Sequence, residues 1–244
     1  ISKPVFAIGR GDMRTAVFEG GFEGLISLAS FLYATKTPYD KISDTEDGSS
    51  LFSENIYYER KIGAELAEHS FYNGADLERL KIVFLGGTER HYGMIAKHVI
   101  ETLSDTATME TESYLNETEH SIRREAHKYK GFVRFEETEL GFFARISPKY
   151  DILPLIAGHF FERYGDERII YDEHRAKAAL ISKNGYEIVS ASVEQFETSE
   201  DEKRFEKLWR LFFDTVAIKE RENKRLQQSF VPQRYRENMP EFAS

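Results

Sequence analysis

Apolar positions recur at helical spacing through much of this chain and alternate at strand spacing mainly in its second half. Phe22, Leu25, Ile26, Ala29, Leu32 and Tyr33 form one stripe that predicts a helix over 22–33. It follows a short strand, TAVFE (Thr15 to Glu19), and the Gly20-Gly21 break. The stretch TKTPYDKISDTEDGSSLFSEN reads as a solvated loop anchored only by Leu51-Phe52. Helices are predicted over 60–72, 76–85 and 88–103, with Asp76 and Thr88 as N-caps and Gly86-Gly87 as a stop.

A further helix over 112–128 opens the second half, with Leu115, Thr118, Ile122, Ala126 and Tyr129 inward and His120, Arg124 and His127 on another side. Gly131 ends it, and the strands Phe132 to Glu136 and Phe142 to Ile146 read as a hairpin around Thr138 to Gly141. Asp151 caps a predicted helix running to Tyr164. Strands over 168–171, 176–182 and 186–190 follow, with Asn184-Gly185 as a hairpin turn. Ser199 and Glu202 make a capping box for a helix to Val216, and a last helix covers 219–229. The expected class is α+β: a mainly helical N-terminal half, then an antiparallel sheet of about five strands packed with helices. Residues 1–12 read as an upstream extension, 13–110 as the helical region and 111–244 as the α+β region, with a soft boundary at the small, polar stretch 102–111.

Composition changes this picture in three ways. The chain has no cysteine, which removes disulfides, thiolate metal sites, a cysteine nucleophile and an iron–sulfur cluster held by this chain. No run reaches the roughly 18 apolar residues of a membrane span, and the N-terminus lacks the order of a signal peptide, so a cytoplasmic location is expected. The net charge of −9 argues against indiscriminate coating of nucleic acid, while cations still gather over 123–130 and 219–236.

The densest meeting of basic, imidazole and aromatic residues is EAHKYKGFVRFEE, Glu125 to Glu137. If Glu137 pairs with Phe142, then Val133, Phe135, Phe142, Ala144 and Ile146 share an apolar face. The other face carries Phe132, Arg134, Phe143 and Arg145, with Arg134 opposite Arg145, a pair that needs an anion between them. That anion is either a protein carboxylate such as Glu136 or a phosphate of nucleic acid stacked on the aromatic face. A bulge at Gly141 would shift the register and remove this arrangement. Arg124, Lys128 and their neighbours either complement the dipole of the helix or form a phosphate-contacting edge. His127 is a candidate general acid or base, because imidazole titrates near neutrality.

Asp172, Glu173, His174 and Arg175 share one predicted turn. Asp172 is a second catalytic candidate and Arg175 a nucleic-acid contact, while no second ligand pair stands at metal-binding spacing. In KERENKRLQQSFVPQRYRE, the residues Arg221, Lys224, Arg225, Arg234 and Arg236 suit a phosphate backbone, Asn223, Gln227 and Gln228 suit base edges, and Tyr235 of the arginine-tyrosine tail is a further nucleic-acid contact. The alternative is charge matching against the acidic remainder of the protein. No Walker loop, nucleophile elbow, zinc-protease or dinucleotide-binding pattern occurs.

Several stretches carry a family resemblance: FEGGFEGLI, SLF, REAHKYKGFVRFEE, DILPLIAGHFFERY, IIYDEHRAKAA and LWRLFFDTVAIKERENKRLQQSFVPQRY. Together they resemble a bacterial family named for DNA metabolism or DNA repair, whose members are encoded beside a radical S-adenosylmethionine (SAM) protein. The related domain of unknown function also occurs fused to a uracil-DNA glycosylase domain, whose activity the resemblance does not carry over to this chain. The resemblance implies a DNA context and a radical SAM partner, and any iron–sulfur cluster and S-adenosylmethionine would then belong to that partner. The leading expectation is a DNA repair or modification accessory protein that binds nucleic acid. Its alternatives are an enzyme acting on damaged DNA through His127 with Asp172 or Glu125, and an adaptor that binds only protein.

Overall fold

The computed structural model describes residues 13–44, 53–56, 74–138 and 141–190. The predicted helices over 60–72, up to Val216 and over 219–229 lie outside the described residues. The chain divides into two compact units, Ile1–Ile122 and Arg123–Ser244.

In the first unit, β1 (Met13–Val17) leads through Gly20 and Gly21 into α1 (Gly21–Thr35). Both glycines have positive φ, 80° and 72°, a conformation open to them because they lack a Cβ. The expected solvated loop contributes two strands instead. β2 (Lys41–Ser43) and β3 (Ser53–Ile56) flank β1, both parallel to it, in the order β2-β1-β3. Three residues are too few for a periodic signal, yet Ile42 and Ser43 are buried. The first half is therefore helix with a small parallel sheet.

α2 (Gly74–Phe84), α3 (Glu89–Leu103) and the start of α4 (Met109–Phe132) complete this unit. Its core joins Ala16, Phe18, Leu25, Leu28, Ile42, Leu80, Ile95 and Leu115, with Phe18 edge-on to Tyr92 at 5.0 Å between centroids. Thr88 caps α3 as expected, accepting the His91 N–H at 3.4 Å. Asp76 lies in the first turn of α2, which begins at Gly74, and is not its cap. α4 begins earlier than the apolar stripe implies, because the Thr108 hydroxyl accepts the Thr111 N–H at 3.4 Å while the Glu101 carboxylate holds the Thr108 N–H and hydroxyl. Arg79 of α2 donates to Glu112 of α4 at 2.7 Å, and buried His98 of α3 has its Nδ1 3.1 Å from the same carboxylate.

The second unit holds the end of α4 and a five-stranded sheet ordered β4-β5-β6-β7-β8. Its strands are β4 (Glu136–Thr138), β5 (Gly141–Ile146), β6 (Arg168–Asp172), β7 (Lys177–Ser182) and β8 (Gly185–Ser190), with α5 (Leu153–Tyr164) between β5 and β6. The α+β class holds. The sheet is mixed, however, because α5 is a crossover that brings β6 back parallel to β5, pairing Arg145 with Tyr171. The other neighbours are antiparallel, and β7 and β8 form a hairpin closed by Ser182 and Gly185. α5 buries Leu153, Ile156, Ala157 and Phe160. It takes no side-chain cap from Asp151, whose carboxylate binds Lys177 Nζ instead.

Candidate functional site

The first hairpin has the register that its apolar pattern predicts, with Glu137 opposite Phe142 and Glu136 opposite Phe143. The ladder starts at Glu136, so the expected Arg134–Arg145 pair does not form. α4 runs through Gly131 to Phe132, and Arg134 turns back to cap it, donating to the carbonyls of Gly131 and Val133 at 3.0 and 3.3 Å. Arg145 is exposed on β5, with its guanidinium 5.7 Å from the Phe143 centroid. Its anion is a carboxylate, Glu173 at 3.4 Å, and not Glu136. Ser147 donates to the same carboxylate at 2.8 Å. Phe143, expected on an open face, is buried and stacks on Tyr171.

The carboxyl ends of the parallel strands β5 and β6 are held by a buried polar network. Asp172 has no exposed surface, and its oxygens accept the His174 N–H at 3.0 Å and an Arg175 N–H at 2.9 Å. Burial pushes the Asp172 carboxyl above its ordinary value, against the pull of Arg175. The Arg175 guanidinium also donates to the carbonyls of Pro148 and Lys149, at 3.2 and 2.6 Å. One arginine thus ties the β6–β7 turn to the segment that leads into α5. On the opposite side, buried Glu125 of α4 accepts the N–H groups of Lys149 and Tyr150, at 3.2 and 3.0 Å.

Glu125 and Arg175 therefore clamp three cation-bearing segments together. α4 brings Arg124 and Lys128, spaced one helical turn apart around Glu125. The segment before α5 brings Lys149, and the turn brings Arg175 and exposed His174. His127 is exposed on α4, and no hydrogen bond or ion pair joins it to Asp172 among the described residues. Arg221, Asn223, Lys224, Arg225, Gln227, Gln228, Arg234, Tyr235 and Arg236 lie outside the described residues. Among the described residues no group of three or more His, Cys, Asp or Glu side chains suits a metal ion.

Two features escaped sequence reasoning. Glu125, read from the sequence only as a catalytic partner of His127, is the carboxylate that fixes the α4–loop junction, and the signal for that role was an acid in step with the inward stripe Ile122, Ala126 and Tyr129. Arg168 is buried against three rings, 3.8 Å from the centroid of Tyr164, 4.4 Å from Phe142 and 4.8 Å from Phe135. Asp166 pairs with it through two oxygens, at 2.6 and 3.0 Å. Nothing in the strand pattern announced this arrangement, because an arginine opening a strand ordinarily faces water.

A family model for DUF4130, a domain of unknown function, matches residues 89–241. The chain belongs to this family. The DUF4130 match takes in the whole clamp and more than half of the chain, and it carries no assigned reaction. No curated protein and no solved structure matches. No helix among the described residues is long and apolar enough to cross a membrane.

Proposed function

We propose that this DUF4130 protein binds nucleic acid as a cytoplasmic accessory to a radical SAM enzyme, in DNA repair or modification. The observation that supports nucleic-acid binding is the clamp itself. It gathers Arg124, Lys128, Lys149 and His174 from three chain segments onto one junction, held there by an Arg175 already paired with Asp172, although the chain as a whole is acidic. Phosphate binding needs such local cation density and not a positive net charge. The partner rests on the family resemblance and on chemistry: without cysteine, this chain supplies no thiolate for the cluster that a radical SAM enzyme carries.

Fluorescence anisotropy of labelled single-stranded and duplex oligonucleotides, titrated over a series of salt concentrations, tests the binding. The expected result is affinity that falls linearly on a log–log salt plot. An Arg124→Ala/Lys128→Ala double variant should lower the slope by about two. Absence of binding at low salt would sink the reading and favour the protein-only adaptor. Co-purification with the native partner tests the second half, with iron and S-adenosylmethionine expected only in the partner.

A further inference from the structure

Lys149 stands outside every residue set read from the sequence, yet its exposed side chain is seated on a neighbouring ring. Its Nζ donates to the Tyr150 hydroxyl at 3.0 Å and lies 4.7 Å from the centroid of the Tyr150 ring. Tyr150 is itself buried, so the surface that the ammonium rests on is fixed. The backbone beneath both residues is fixed too, because Lys149 N–H and Tyr150 N–H are donated to the two oxygens of Glu125. Arg175 holds the Lys149 carbonyl from the other side. A lysine on a free stem surrenders rotamer freedom when it binds, whereas one already seated has less to lose.

Resting on the nucleic-acid reading, we propose that Lys149 contacts a backbone phosphate next to those met by Arg124 and Lys128, and that Glu125 and Tyr150 are its positioning residues. Lys149 is the point charge, Tyr150 its seat, and Glu125 the group that fixes the seat against α4. A carboxylate accepts both N–H groups at once, while a glutamine offers one acceptor and turns its own N–H₂ toward the second donor. Glu125→Gln should therefore shift Lys149 without removing it.

The test is a double-mutant cycle on oligonucleotide affinity across a salt series, using full-length Lys149→Ala, Glu125→Gln and the combined variant. Lys149→Ala should lower the salt slope by about 0.7 on single strands or about 0.9 on duplex. Glu125→Gln should weaken binding in the wild-type background and have no further effect once Lys149 is alanine. Tyr150→Phe keeps the ring and removes the hydroxyl, and should weaken binding while leaving the melting temperature near that of wild type. It carries the positioning arm should Glu125→Gln fail to fold.

Wild-type protein that shows no salt-dependent binding overturns the nucleic-acid reading as a whole. Wild-type binding with an unchanged slope in Lys149→Ala overturns the role of Lys149 alone. Equal losses from Glu125→Gln in both backgrounds, or undiminished binding by Tyr150→Phe, overturn the positioning role.

Discussion

Asp172 shows what one buried carboxylate does for the junction around it. Both of its oxygens are engaged, one by the His174 N–H and one by Arg175, which in turn reaches two carbonyls of the segment before α5. Asp172→Asn leaves Arg175 without its counter-charge, which in a buried pair costs about 3 kcal/mol, but it also relieves the burial penalty that raises the Asp172 pKa. Because Arg175 keeps some solvent contact, with its side chain 22% exposed, the loss should fall at or below that figure. The pH dependence has a definite sign. A carboxyl whose folded pKa lies above its unfolded 3.8 gives stability that is present below that value and lost as pH rises through the folded pKa. Denaturant unfolding measured across the acid range should show this loss in wild type and not in Asp172→Asn. His98 in the first unit behaves oppositely. Burial lowers its pKa below 6.5, against the attraction of Glu112, so its contribution is present above 6.5 and lost as pH falls through the folded value. A histidine-resolved NMR titration should find His98 protonating below the ordinary imidazole range.

At the scale of elements, long amphipathic stretches were readable and short or exceptional backbone was not. The stripe of α4 named its buried residues and that of α1 named all but half-buried Tyr33, and the β4–β5 register followed from apolar alternation. β2 and β3 stayed hidden because strands this short are specified by β1 beside them and not by their own pattern. The parallel β5–β6 pairing stayed hidden because a helix between two strands is compatible with either direction until the crossover is seen. The junction after α4 misled for a different reason: Gly131 is a natural helix stop, yet Arg134 satisfies the terminal carbonyls and lets the helix continue to Phe132. Gly141 now matters more than Gly131. Its φ is +98°, and a Cβ there would lie 3.1 Å from the Glu167 carbonyl oxygen. Gly141→Ala should destabilise by about 1–2 kcal/mol from conformation alone, read as a lower urea midpoint with an unchanged m-value.

For the molecule as a whole, net charge and local charge point in opposite directions, and their balance decides whether an acidic protein binds a polyanion. The sequence showed cations over 123–130, but not that Lys149 and Arg175 join them, since the joining contacts come from carboxylates and carbonyls far along the chain. It also raised the question of which anion meets Arg145, and the answer is Glu173. That answer turns an apparent nucleic-acid contact into a restrained one. Glu173 is exposed and is shared by Arg145 and Ser147, so it screens the cation next to the clamp at little structural benefit. Glu173→Gln should therefore leave stability within about 0.5 kcal/mol of wild type, as exposed substitutions generally do. It should tighten oligonucleotide binding and steepen the salt slope by about one, because Arg145 becomes available to phosphate. Arg145→Ala should be nearly silent in the wild-type background and should cancel the gain when combined with Glu173→Gln. Anisotropy titrations of the four proteins at matched salt provide the check, and a gain that persists without Arg145 would mean that Glu173 acts only through the general field of the surface.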